Sequence, residues 1–283
     1  MASVRKAVIL IGGLGTRFLP ITKSFPKELF PIINRPILDL VIDELVDSGI
    51  KDILIVSSPN KKQVEDYYQE NKELEEKLSS SNHELLVAIQ NIAKKANISF
   101  IYQDKPMGTG HATKLAEAFV AGEAFALVYP DNLFKNEHYP AIKQMIDVYE
   151  KKEGSIIGVV PVPTDEIHKY GIVKFKNAET QEIETFIEKP KSEEAPSNLA
   201  AMGRYILTSN IFGELAKIEP VNGEYMITDA IANLFKKEAV YAHIIEGTYF
   251  DTGNPLGYLI ASLNYAIDNP RYKDEIKKSL NLK

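Results

Sequence analysis

The 283-residue chain contains no cysteine. That absence removes disulfides, thiolate zinc sites and cysteine nucleophiles, and it argues against a small secreted domain held by crosslinks. Long apolar runs are missing as well. The run Ala7–Ile11 is too short for the hydrophobic region of a secretory leader and far too short to cross a bilayer, and no later run comes near the length of a bilayer span. The expectation is a cytoplasmic protein without a membrane partner. An excess of basic charge is also lacking, since 33 Lys and Arg stand against 39 Asp and Glu for a net charge of −6. Without a broad positive field, nucleic acid is not an expected partner, and any anionic ligand must be held by a local group of cations. The five histidines do not fall at metal-ligand spacings.

What is present is an alternation of strand and helix patterns. The segments 7–11 (AVILI), 52–56 (DILIV), 98–103 (ISFIYQ) and 124–129 (AFALVY) are short, apolar and bounded by turn or charged residues, as buried strands of a mostly parallel sheet are. Between the first two, apolar residues at 37, 38, 41, 42, 45 and 46, with Pro36 before them and Gly49 after, predict a crossover helix. Residues 61–97 hold a very polar helical pattern and an amphipathic one, separated by the cap-rich SSSN. This exceeds what a minimal crossover needs and predicts an inserted helical lobe.

From about 155 the pattern turns to strands and turns (SIIGVVPV, GIVKFK, EIETFIEKP, LAAMGRYIL). Helices come next near 209–217 and 227–236, then a strand near 239–245 and C-terminal helices from about 256. No repeat or Pro/Ser-rich linker divides the chain, so residues 1–283 are expected to form one α/β domain, with halves at about 1–154 and 155–255 and C-terminal helices over 256–283.

Chemistry concentrates at the ends of the strand segments. Directly behind the first run lies IGGLGTRFLPITKSFPKELFP, in which Gly12, Gly13 and Gly15 let backbone N–H groups approach a phosphate. The third glycine that opens a helix in the dinucleotide fingerprint is absent, and so is the Gly-Lys-Ser/Thr of the P-loop. In their place stand Arg17, Lys23 and Lys27, on a segment expected to be held extended by Pro20, Pro26 and Pro31. Such a segment suits a polyphosphate; it equally describes a tight strand-to-loop turn with solvated cations. Asp131 in YPDNLF falls just past a buried strand, where a carboxylate can hold Mg²⁺ or cap a turn. PMGTGHA is a second glycine turn, opening the helix HATKLAEAFVAG; His111 within it is assigned no chemistry. Glu188 and Lys189 in FIEKPK, and Asp251 in YFDTGN, sit at further strand ends, the usual place of exposed ion pairs too.

In their order these motifs, with YGIV, EKPKSEEAPSNLAAMGRYIL, GEYMITDAI and FDTGNPLGY, resemble the bacterial-type UTP–glucose-1-phosphate uridylyltransferases (UDP-glucose pyrophosphorylases) of the sugar-phosphate nucleotidyltransferase superfamily. The resemblance runs over about residues 6–263 and implies a Rossmann-like three-layer fold around a central mixed sheet. It implies that Ile11, Gly12, Gly13, Gly15, Thr16, Glu28, Gln103 and Gly108 form the nucleotide site, with Gly12, Gly13, Gln103 and Gly108 framing uracil and ribose. It further implies that Arg17 and Lys27 face the triphosphate, that Asp131 binds Mg²⁺ with Asp251 as second ligand, and that Gly171, Glu188 and Lys189 hold glucose 1-phosphate. A homodimer or homotetramer is the family's usual assembly. The family usually reads Ala-Ala where this chain has Ile11 and Gly12, which leaves UTP against dTTP open; GTGHA in place of the common GLGHA is a mild second departure.

The implied reaction is attack by a phosphate oxygen of glucose 1-phosphate on the α-phosphorus of UTP, giving UDP-glucose and pyrophosphate. Joining two anions calls for positioning and charge neutralisation, which the cations supply. Two alternatives are a nucleotide-sugar-dependent glycosyltransferase, against which stands the lack of Asp-x-Asp after AFALVY, and a non-catalytic regulatory homologue, against which stand Arg17, Lys27, Asp131 and Lys189.

Overall fold

Strand β1 (Lys6–Leu10) turns Ala7 and Ile9 into one apolar cluster and Val8 into another, on the opposite face of the sheet. A strand apolar on both faces must be covered on both, and the rest of the chain does this. The computed structural model describes residues 4–136 and 138–280. After β1 come a short ribbon, β2 (Pro31–Ile32) and β3 (Arg35–Pro36), then helix α1 (Ile37–Asp47) and β4 (Asp52–Ser57). Helices α2 (Lys62–Tyr68), α3 (Lys72–Ser79) and α4 (His83–Lys94) precede β5 (Asn97–Tyr102). Next are α5 (Gly108–Lys114), α6 (Glu117–Val120), β6 (Phe125–Val128), β7 (Asn132–Lys135) and α7 (Ala141–Lys152). The second half runs β8 (Ile156–Pro161), β9 (Gly171–Asn177), β10 (Glu182–Glu188), β11 (Leu199–Leu207), α8 (Asn210–Leu215) and α9 (Ile227–Leu234). It ends in β12 (Tyr241–Ile244), β13 (Thr248–Asp251), α10 (Pro255–Asp268) and α11 (Lys273–Ser279).

Nine strands form one sheet in the order β5-β4-β1-β6-β11-β8-β12-β10-β9. Residues of α1 and α7 belong to the apolar cluster on one face, and residues of α5, α8 and α9 to that on the other, so the architecture is the three-layer α/β fold. The sheet is mixed, as expected, with seven of its nine strands running in one direction and β10 and β11 in the other. The β5-β4-β1-β6 run and the β8-β12 pair are parallel, whereas β11 runs antiparallel to β6, β8 and β9, and β10 antiparallel to β9 and β12. The reason lies in the connections: β9, β10 and β11 succeed one another without the long helical crossover that parallel pairing requires.

Three local expectations change. The proline-bearing segment is not extended; it coils into 3₁₀ turns at Thr16–Phe18, Ile21–Lys23 and Lys27–Leu29, because a φ near −65° suits turn starts as well as extended chain. The polar part of the insert breaks into α2 and α3, where the Asn71 side chain accepts from the Leu74 N–H; Asn82 caps α4 in the same way. The helix expected over HATKLAEAFVAG divides into α5 and α6. Helix α7 and the two-stranded β7–β13 sheet had no counterpart among the expected elements. Among the described residues no helix is long and apolar enough to cross a membrane.

Candidate active site

Strands β1 and β6 are parallel neighbours. Their loops, Ile11–Gly15 and Tyr129–Asp131, therefore open on one edge of the sheet, where open α/β sheets hold ligands. There lies a cleft of two lobes. The larger, about 750 Å³, is lined by Arg17, Gly171, Glu188, Tyr249 and Asp251 among others; the smaller, about 330 Å³, by Ile11, Gly12, Gly13, Glu28, Gln103 and Gly108. Thr109, Tyr129, Asp131, Lys189 and Met226 line both, so residues expected at the two ends of one reaction share a junction.

At the junction Lys27 Nζ donates to Asp131 Oδ2 at 2.6 Å. Burial opposes charge on both groups. The Lys27 ammonium nevertheless holds the Asp131 carboxyl below the usual carboxylate range, and Asp131 with Glu28 raises Lys27. Behind the loop, Arg204 is fully buried and donates to the carbonyls of Tyr129 (2.9 Å) and Asn132 (2.7 Å) while pairing with Glu44 at 2.8 Å. The guanidinium thus braces both sides of Pro130–Asp131. The β7–β13 ladder sets Asp251 opposite Asn132. A Cβ on Gly253 would lie 2.9 Å from Asp251 Oδ1 and 3.0 Å from Asp131 Oδ2, so two carboxylates converge on one point, as the oxygen donors of a hard cation do.

The smaller lobe rests on a buried ion pair. Lys61 Nζ donates to both carboxylate oxygens of Glu28 at 2.9 Å and also to the Ile11 carbonyl. Burial pulls the Lys61 ammonium below its ordinary range even with Glu28 beside it. The Ile11 side chain is 1% exposed and belongs to the core. Only its backbone is available to the lobe, so the departure from the family's alanine there adds bulk to the core and none to the cleft. Gly12 is different: a Cβ on it would meet Gln103 Oε1 at 2.9 Å.

In the larger lobe the antiparallel register sets Glu188 opposite Gly171. A Cβ on Gly171 would come within 2.5 Å of the Phe186 ring and 3.2 Å of Glu188 Oε2, so the glycine makes room for that carboxylate. Thr228 Oγ1 donates to Glu188 Oε2 at 2.7 Å. Lys189 comes next with φ 45, a left-handed conformation that a lysine rarely adopts, and its N–H donates to the Tyr170 carbonyl. Its side chain is largely exposed.

The cleft therefore brings together Ile11, Gly12, Gly13, Arg17, Lys27, Glu28, Gln103, Gly108, Asp131, Gly171, Glu188, Lys189 and Asp251. Gly15 and Thr16 do not line it. Gly15 is left-handed at φ 66 and its carbonyl accepts from the Thr22 hydroxyl, so it shapes the loop. Lys23 is exposed and lies outside the lining. Sequence reasoning missed Lys61, Arg204, Thr228 and Tyr249. Lys61 stands in a polar run that reads as solvated helix; Arg204 and Thr228 lie inside quoted motifs, GRYIL and YMITDAI, but nothing local signals that they reach the site.

Comparison with known proteins adds to this geometry. Residues 6–267 match the family model described as nucleotidyl transferase. The chain is 40% identical over 281 residues to a UTP–glucose-1-phosphate uridylyltransferase of Staphylococcus epidermidis, covering 98% of this chain and 97% of that one. Its fold is similar to UTP-bound UGPase from Acinetobacter baumannii, with a TM-score of 0.91, 35% identity, and coverage of 99% and 100% of the two chains. It is also similar to a UDP-glucose pyrophosphorylase complexed with UDP-glucose, with a TM-score of 0.84, 36% identity, and coverage of 94% and 100%.

Proposed function

The chain belongs to the nucleotidyl transferase family, and from that premise we propose that it converts UTP and α-D-glucose 1-phosphate to UDP-glucose and pyrophosphate. The observation that carries this reading is the junction of the cleft, where Asp131 and Lys189 line both lobes and Lys27 reaches Asp131 from the 3₁₀ turn Lys27–Leu29 beyond the glycine loop. Relatives named for this activity, and neighbours holding UTP or UDP-glucose, support the choice of substrates.

The nucleotide takes the smaller lobe, its base and ribose framed by Gly12, Gly13, Gln103 and Gly108. The sugar phosphate takes the larger lobe, with Gly171 and Glu188 against the sugar and Lys189 against the phosphate. A phosphate oxygen of the sugar phosphate attacks the α-phosphorus in line; the bond to the β-phosphate oxygen breaks and pyrophosphate leaves. Lys189 lowers the repulsion that opposes attack, while Arg17 and Lys27 offset charge on the leaving group. No covalent enzyme intermediate is needed, since orientation of two anions in one cleft is the main task. The oxygen-only set of Asp131 and Asp251 fits Mg²⁺, which when bound would neutralise charge between the phosphates. Arg204 keeps the Asp131 turn in place from behind.

We assign the enzyme to the cytoplasm as a homodimer or homotetramer. Support for self-association comes from Leu256, Leu259, Ile260 and Leu263, exposed on α10 at helical spacing; light scattering checks it. The activity is tested by pyrophosphate release across a matrix of UTP, dTTP, CTP, ATP and GTP against several sugar 1-phosphates, with and without Mg²⁺. The largest kcat/KM is expected for UTP with glucose 1-phosphate and Mg²⁺. No release with any pair would overturn the proposal.

A further inference from the structure

We infer that His111 decides which edge of the Gln103 amide faces the nucleobase, and that this orientation makes the smaller lobe select uracil or thymine over cytosine. The inference rests on the nucleotide reading of that lobe and adds to it a residue with no role in the chemistry.

Gln103 comes directly after β5, is 5% exposed, and is held by its backbone N–H donating to the Ser57 carbonyl at 2.8 Å. Its amide nitrogen lies 3.3 Å from the Gly108 carbonyl oxygen and 2.9 Å from His111 Nδ1. A carbonyl oxygen can only accept, so the NH₂ edge must be the one turned toward Gly108. The second N–H then falls on Nδ1, which accepts when the imidazole carries its proton on Nε2. Both amide hydrogens are thereby committed. The remaining atom, Oε1, stands over Gly12, since a Cβ there would lie 2.9 Å from it. Among the described residues no protein donor reaches Oε1.

The lobe thus presents a fixed acceptor beside the glycine loop. Uracil and thymine carry an N–H donor between two carbonyls on their pairing edge and satisfy it. Cytosine has an acceptor at that ring position, so two lone pairs would face each other in a buried place, and a site built for a hydrogen bond discriminates strongly against a partner that cannot make it. The second glycine turn explains how His111 is held. Gly108 and Gly110 let α5 pack on the Tyr225 backbone, where added Cβ atoms would approach the Tyr225 carbonyl to 2.5 and 2.9 Å, and Gly110 N–H donates to that carbonyl at 2.7 Å.

The test is calorimetric binding of UTP and of CTP to the full chain, wild type and variants, which does not depend on turnover. Wild type is expected to bind UTP the more tightly. His111→Asn, whose side-chain oxygen can stand in for Nδ1 as acceptor, should keep the UTP-to-CTP affinity ratio within about threefold, whereas His111→Leu should lower it roughly tenfold or more, chiefly by weakening UTP. His111→Phe, which keeps a ring without an acceptor, replaces His111→Leu if that variant does not fold. Equal wild-type affinities for UTP and CTP, an unchanged ratio in His111→Leu or His111→Phe, or an equal fall in His111→Asn, would overturn the inference. Absent pyrophosphate release with intact UTP selectivity would overturn the proposed reaction and leave this inference standing.

Discussion

Lys27 Nζ lies 2.6 Å from Asp131 Oδ2 across 104 positions of sequence, tying the loop after β1 to the loop after β6. Asp131 is held below the usual carboxylate range against the effect of burial. A depressed folded value contributes stability above the unfolded value of about 3.9 and loses it as pH falls through the folded one. Urea denaturation of wild type and Asp131→Asn should therefore differ by a constant amount near neutrality and converge on acidification below about pH 4. A gap that does not narrow at all as the pH falls below about 4 would show that the pair is not the cause. The same variant should lose roughly a hundredfold or more in kcat/KM.

Lys61 and Glu28 form the buried floor of the smaller lobe. Lys61→Met strands the Glu28 carboxylate, and breaking a buried pair costs about 3–5 kcal/mol of stability. Glu28→Gln in the same background should restore part of that loss. Urea denaturation of the single and double variants checks it; a double variant no more stable than Lys61→Met would contradict the pairing.

Gly171→Ala should raise the KM for glucose 1-phosphate at least about tenfold while leaving the KM for UTP near its original value, because the added methyl displaces Phe186 and Glu188 in the sugar lobe only. Steady-state kinetics with each substrate varied in turn separates the two. An equal rise in both would mean that the strand pair moved as a whole.

Lys189 combines an exposed ammonium with a left-handed backbone at φ 45. Lys189→Ala should lower kcat/KM by roughly a hundredfold or more. Lys189→Gly should be as inactive yet more stable than Lys189→Ala by about 1 kcal/mol, since glycine alone adopts this conformation without strain. Near-wild-type kcat/KM in either variant would remove Lys189 from the reaction.

Many of these features were legible in the sequence. Short apolar runs located the parallel strands of the big sheet, because β1, β4 and β6 are covered on both faces and could be little else. Asp131, Glu188 and Asp251 could be singled out because each falls at or just past a strand end. The direction of β10 and β11 was not legible, since pairing sense depends on connection geometry more than on strand composition. Lys61 was hidden for a related reason: a lysine beside Lys62 reads as solvated, and only the fold carries it 50 positions back to the Ile11 carbonyl. Ile11 illustrates the converse, a residue adjacent to the cleft in sequence whose side chain faces the core.

The direct attack of one phosphate on another is tested most directly by stereochemistry at phosphorus. UTP carrying a single configuration of sulfur on the α-phosphate, reacted with glucose 1-phosphate, should give the UDP-glucose analogue with inverted configuration, as one in-line displacement requires. Retention would mean two displacements through a covalent enzyme intermediate, and would contradict a cleft that works by holding two anions together.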